Sequence, residues 1–189
     1  MHAIESSFNP RLRDAIGDIS LVPREERVVG PGAGYIMAAF THLSPDGSRF
    51  SDGTFGVFYA AQREATAIAE TRFHRERFMS ATKQPRRELD MRVLTVTVKS
   101  PLHDLRGMRR VLPDVYRPDD YTSSQLLGGA LRAGGATGLA YDSVRQDGGR
   151  CVAIFRPRAL SHCGDRKHLR YIWDGSRISD VLEIRRMRS

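Results

Sequence analysis

The apolar positions of the chain change period several times, and each change predicts an element. From Gly56 to Ala61 the chain reads GVFYAA, whose Val, Phe and Tyr between a glycine and a polar break predict a short buried strand. From Gln62 to about Phe78 there is neither Gly nor Pro. Ala65, Ile68, Ala69 and Phe73 recur there at helical spacing with arginines elsewhere on the cylinder, which predicts a helix with Glu70 at the edge of its apolar stripe. Met91, Val93, Thr95 and Thr97 then alternate with Arg92, Leu94, Val96 and Val98, a strand pattern closed by Ser100-Pro101.

The remaining segments are punctuated by Gly and Pro. The first 34 residues are weakly patterned, with a short amphipathic turn around Leu12 to Ile19, and VVGPGAGY (Val28 to Tyr35) reads as a loop. Tyr35 to Phe40 follows as a short apolar strand candidate. A Pro- and Arg-rich connection spans Leu102 to Pro118. Asp119 to Arg132 predicts a helix with Thr122 or Ser123 as N-cap and Gly134-Gly135 as its stop, although Gly128-Gly129 interrupts it. Gly138 to Tyr141 and Cys151 to Phe155 predict two strands joined by a hairpin-like return, and His168 to Trp173 with Arg177 onward a last hairpin. Strands and helices mix without strict βαβ alternation, so the class is α+β.

A chain of 189 residues, 40% hydrophobic and 28% charged, suits one globular domain. Its longest apolar runs fall far short of the roughly 18 residues of a membrane span. The N-terminus lacks the apolar stretch of a signal peptide, and Cys151 and Cys163 form no CxxC, so a reduced cytoplasm is expected. The formal charge is +8, and 27 of the 30 basic residues are arginine. That bias favours bidentate recognition of phosphate or carboxylate, and so partners with phosphates or acidic surfaces.

Familiar motifs are missing. GPGAG lacks the strand–G-x-G-x-x-G–helix context of a dinucleotide fingerprint, and there is no P-loop. SHCGDRKH (Ser161 to His168) is the densest cluster of candidate metal ligands, but it has no zinc spacing and reads as a structural loop, so no metal is expected.

Three residues stand out: Arg49 in a polar turn before a strand, Glu70 on the helix after it, and Ser143 beyond a later strand. Each has an ordinary explanation, as a surface charge, an ion-pair partner for His74 and a turn residue respectively. Together, SRFSDGTFGVFYAAQREATAIAETRFHRERF (Ser48 to Phe78) and GLAYDSVRQDGGRCVAIFRP (Gly138 to Pro157) resemble the RES domain, named for an arginine, a glutamate and a serine at these places. The resemblance runs from about Tyr35 to Trp173 and divides the chain into an N-terminal extension (1–34), a catalytic domain (35–175) and a basic tail (176–189) that packs on or extends the domain.

That resemblance implies an ADP-ribosyltransferase-like fold, with a central, mostly antiparallel split sheet flanked by helices. It implies the toxin of a type II toxin–antitoxin pair, neutralised by an Xre-like helix-turn-helix antitoxin and meeting operator DNA only through it. The implied activity consumes NAD+ as substrate by cleaving the nicotinamide–ribose bond, with a protein, phosphate or water accepting ADP-ribose. Arg49 is then expected to clamp the pyrophosphate, Glu70 to stabilise the ribosyl cation and Ser143 to orient the cofactor. Tyr59 is a candidate to stack on nicotinamide or else a core aromatic, Arg145 is a candidate to add charge, and Tyr35 and His42 are candidates to reach the pocket. The rival reading is an Arg-rich RNA-binding or RNA-cleaving toxin, prompted by clusters such as Arg72 to Arg77.

Overall fold

The computed structural model describes residues 1–6 and 17–185; of the turn expected over Leu12 to Ile19, residues 12–16 lie outside them. The strands are β1 (His2–Ser6), β2 (Phe58–Ala61), β3 (Arg87–Val98), β4 (His103–Asp104), β5 (Gly138–Asp142), β6 (Arg150–Ile154), β7 (Leu160–Trp173) and β8 (Ile178–Ile184). They form one sheet in the order β4-β5-β6-β2-β1-β3-β7-β8, antiparallel except where β4 meets β5. Among the described residues the α-helices are α1 (Ala33–Thr41), α2 (Glu64–Ala81) and α3 (Thr122–Ala133), so the expected α+β class holds. Residues 2–6 of the 1–34 segment sit inside the sheet, and β8 extends it along β7.

Side-chain alternation sorts the core onto two faces. Phe58, Ala60, Leu94, Val96, Val152 and Ile154 pack under Ile36, Met37 and Phe40 of α1. The opposite face carries Ala61, Leu139, Tyr141, Cys151 and Ala153. It continues across β3 and β7 as Met91, Val93, Leu169 and Tyr171, beneath Ile68 and Met79 of α2. Each large side chain buried this way stabilises the fold by about 1.5–3 kcal/mol. β1 runs beside β3 along its whole length but meets β2 only at His2↔Ala61, so the two halves of the sheet are joined there by a single register.

Several expectations are corrected. Tyr35 to Phe40 is helix, not strand: Gly32, at φ 79°, turns the chain in the left-handed region, and Ile36, Met37 and Phe40 then bury one helical face. A Cβ on Gly32 would lie 1.8 Å from the Cys163 carbonyl oxygen, so no other residue fits this turn without moving β7. The apolar face of α2 is rotated from the one expected, because Thr66, Ala67 and Met79 are buried while Ala65 is exposed. The polar members of that face are satisfied: Thr66 Oγ1 donates to Gln146 Oε1 at 2.5 Å, and Thr71 Oγ1 meets the Tyr171 hydroxyl at 2.8 Å. SHCGDRKH is part of β7, not a loop. Neither Thr122 nor Ser123 caps α3, whose N-cap position is Tyr121.

Candidate active site

A cleft of about 670 Å³ opens on the α2 face, with both His2 and Ala61 of the joining register in its lining. Its floor follows the sheet pairing, because Ala61, Cys151 and Tyr141 are register partners across β2, β6 and β5, and Tyr59 lies two residues along β2 on the same face. One wall is α2, and the turn at Asp46 to Arg49 and Tyr121 form the rim.

Glu70 projects from α2, and Ser143 stands immediately behind it. Ser143 is only 2% exposed, and its Oγ donates to Glu70 Oε1 at 2.6 Å. The same oxygen accepts the backbone N–H groups of Arg145 and Gln146 at 3.1 and 3.0 Å. The Ser143 backbone is held at both ends: its N–H donates to the Gly149 carbonyl and its carbonyl accepts from Arg109. Glu70 Oε2 has no hydrogen-bond partner among the described residues, and the ion pair with His74 is not made. The carboxylate is therefore oriented through one oxygen and has the other available.

Arg49 is 7% exposed, so it is not the surface charge of its ordinary explanation. Its Nη1 donates to the carbonyls of Val115 at 3.3 Å and Arg117 at 2.9 Å, and its Nη2 to that of Pro118 at 3.3 Å. The guanidinium also lies 4.5 Å from the centre of the Tyr121 ring. Of its five N–H donors, these contacts leave two for a ligand. The turn bearing it is fastened to the floor by Tyr59, whose hydroxyl meets Ser48 Oγ at 2.8 Å and accepts the Phe50 N–H at 2.9 Å. Burial pushes the Tyr59 phenol up to about 12, which keeps it neutral. The same cause pushes the Cys151 thiol, 4.0 Å from Glu70 Oε1, up to about 12, so it is no ready nucleophile.

The structure thus brings Arg49, Tyr59 and Glu70 into one lining, with Ser143 behind Glu70. Arg145 is outside the lining: its guanidinium sits 3.3 Å from the centre of the Phe73 ring, donates to the Pro118 carbonyl and approaches Asp119 Oδ1 at 3.5 Å. It joins the 143–149 loop to the stretch of chain that Arg49 also holds. Tyr35 and His42 are not brought to the cleft. Tyr35 faces the other side of the sheet, where its hydroxyl accepts from Arg92 at 2.6 Å, and His42 closes α1 with Nδ1 3.2 Å from the Ala38 carbonyl oxygen.

The sequence reading placed none of His74, Arg77, Phe78 and Tyr121 in the site, yet all four line the cleft. The helical signal was present for three of them, since Ala67, Glu70, His74, Arg77, Phe78 and Ala81 fall within a stripe about 100° wide at 3.6 residues per turn. Desolvation, then the charges of Arg145, Arg49, Arg77 and Arg75, lower His74 to about 4, so it is neutral at pH 7. Among the described residues no group of three His, Cys, Asp or Glu is placed to hold a metal, and no helix is long and apolar enough to cross a membrane.

The family model of the RES domain matches residues 24–174. The uncharacterized protein y4oC of Sinorhizobium fredii (strain NBRC 101917 / NGR234) is 32% identical over 180 residues, covering 93% of this chain and 72% of the relative. Among solved structures, the MbcT–MbcA toxin–antitoxin complex of M. tuberculosis contains a chain similar in fold. The TM-score is 0.51 at 13% identity, over 87% of this chain and 82% of that one.

Proposed function

Because this chain belongs to the RES domain family, we propose that it is the toxin of a type II toxin–antitoxin module and acts by consuming NAD+. The nicotinamide–ribose bond breaks, and ADP-ribose passes to a protein, phosphate or water. The observation that carries this reading is the 2.6 Å hydrogen bond from Ser143 that orients Glu70 at the wall of the cleft. An antitoxin partner is supported by the fold shared with a chain of a toxin–antitoxin complex, and its Xre-like helix-turn-helix kind is what the RES family implies.

The chemistry asks little of a general acid. The bonding electrons leave with nicotinamide, which departs as a neutral base from a cationic precursor. Positive charge then develops on the ribose, and a carboxylate in a desolvated cleft stabilises it most where it is already oriented. Glu70 fits that role, with Oε1 held by Ser143 and Oε2 available to the sugar. The two N–H donors that Arg49 retains suit one pyrophosphate oxygen pair. The cleft volume lies in the range of small-molecule sites.

The test is release of nicotinamide from NAD+ by the purified chain, beside Glu70→Gln, in buffer with and without phosphate and then with lysate. Release by the wild type and silence of the variant support the reading, and the condition that accelerates release identifies the acceptor. No release from folded, inhibitor-free protein in any condition removes it.

A further inference from the structure

Phe78 is 55% exposed, yet it lines the cleft, two helical turns from Glu70 on the same stripe of α2. Eight residues of α-helix cover about 12 Å. Between the two positions the stripe presents His74 and Arg77. The middle of the stripe is strongly electropositive: the charges of Arg145, Arg49, Arg77 and Arg75 all act on the His74 imidazole. Along one helix face the cleft therefore presents a carboxylate, then a cationic stretch, then an exposed aromatic ring. An isolated exposed aromatic is ordinary, but one in line with a carboxylate and a cationic stretch inside a cleft is the arrangement that suits a ligand of matching chemistry.

We propose that α2 is a ruler for a dinucleotide, with Phe78 stacking the base of the distal, adenine-side nucleotide and Arg77 taking its phosphate while Glu70 addresses the nicotinamide-side ribose. This rests on the NAD+ reading and adds to it a distal subsite that selects substrate by length. The order of groups matches the order of chemistry along the molecule, from ribose through diphosphate to a flat base. Nicotinamide mononucleotide ends at its phosphate and does not reach Phe78, so it forgoes the distal contact. Base–aromatic stacking is sequence-tolerant and strong enough that losing it costs about tenfold or more in binding.

The experiment titrates ADP, which carries the distal nucleotide and the diphosphate without the nicotinamide-side ribose, into the full chain by calorimetry for the wild type, Phe78→Ala and Phe78→Tyr. It then compares kcat/KM for NAD+ and nicotinamide mononucleotide. Phe78→Ala is expected to weaken ADP about tenfold and Phe78→Tyr to restore it, and the preference for NAD+ over the mononucleotide is expected to fall about tenfold in Phe78→Ala, through KM more than kcat. Phe78 is exposed, so an unchanged melting temperature shows that the alanine variant is folded. Equal ADP binding by wild type and Phe78→Ala, or no ADP binding by either, overturns the ruler even if nicotinamide is released. Phe78-dependent ADP binding without any nicotinamide release keeps the distal subsite and removes the NAD+-consuming activity instead.

Discussion

Ser143 Oγ donates its one proton to Glu70 Oε1 at 2.6 Å and accepts two backbone N–H groups of its own loop, those of Arg145 and Gln146. A hydroxyl has one proton and two lone pairs, so this serine is fully committed. It reaches a ligand only by abandoning Glu70 or opening the loop. In the structure as it stands, Ser143 is a positioning residue for the carboxylate.

Ser143→Ala should therefore affect chemistry more than binding. Without its donor, the Glu70 carboxylate loses its fixed orientation, and kcat for nicotinamide release should fall about 10- to 100-fold with a smaller change in KM. Two N–H groups lose their acceptor as well, which lowers stability by about 1–3 kcal/mol. Steady-state kinetics and a urea titration check the two parts separately. A raised KM at unchanged kcat would assign Ser143 to direct substrate binding.

Arg49 makes a poor single-purpose binding probe. Its guanidinium spans the carbonyls of Val115, Arg117 and Pro118 and stacks on Tyr121, and Arg145 reaches the same Pro118 carbonyl from the other side. Arg49→Lys keeps the charge but cannot reproduce this fork, so it should behave nearly as badly as Arg49→Ala. Both should weaken NAD+ binding and lower stability by about 2–3 kcal/mol, the scale of charge-assisted hydrogen bonds. Thermal melts beside NAD+ titrations check this. A lysine variant with wild-type melting temperature would mean that the carbonyl contacts contribute little.

How much of this was legible in the residues depends on where the information lies. The strand at Gly56 to Ala61, the helix after it and the β5–β6 return follow from local period and turn chemistry, and they carry Tyr59, Glu70 and Ser143 into the site. The 33–41 segment misled because six apolar residues are too few to distinguish a buried strand from a buried helix, and the deciding contact, Gly32 against Cys163, spans 131 positions. The face of α2 misled because Thr66 is buried and Thr71 half-buried through partners on distant strands and loops, which no local pattern reveals. Tyr121 entered the site through Arg49, again a long-range contact.

Gly128, which looked like a flaw in the α3 pattern, has a defined use. A Cβ there would lie 2.1 Å from the Phe50 carbonyl oxygen, so the glycine lets α3 press against the turn that carries Arg49. Gly128→Ala should push that turn away, costing about 1–3 kcal/mol as overpacking, and should reduce NAD+ affinity as Arg49 shifts. Gly129, where an added methyl would meet nothing within 4 Å, is the control. Gly129→Ala should preserve affinity and raise stability slightly through helix propensity. Equal behaviour of the two variants would refute the packing argument.

The pH dependence should carry the mark of His74. Its value near 4 in the folded chain, set by desolvation and then the surrounding arginines, lies below the ordinary 6.5. Between these values the unfolded chain holds a proton at this position that the folded chain does not. Stability therefore rises with pH through that window, and this contribution is lost as pH falls from about 6.5 toward 4. Replacing His74 with Gln should flatten the slope of unfolding free energy against pH over the same interval, and NMR should place the wild-type imidazole titration near 4. Bound ADP, by neutralising the arginines, should move that titration upward. An imidazole that titrates near 6.5 with or without ADP would show that the arginine field does not reach it.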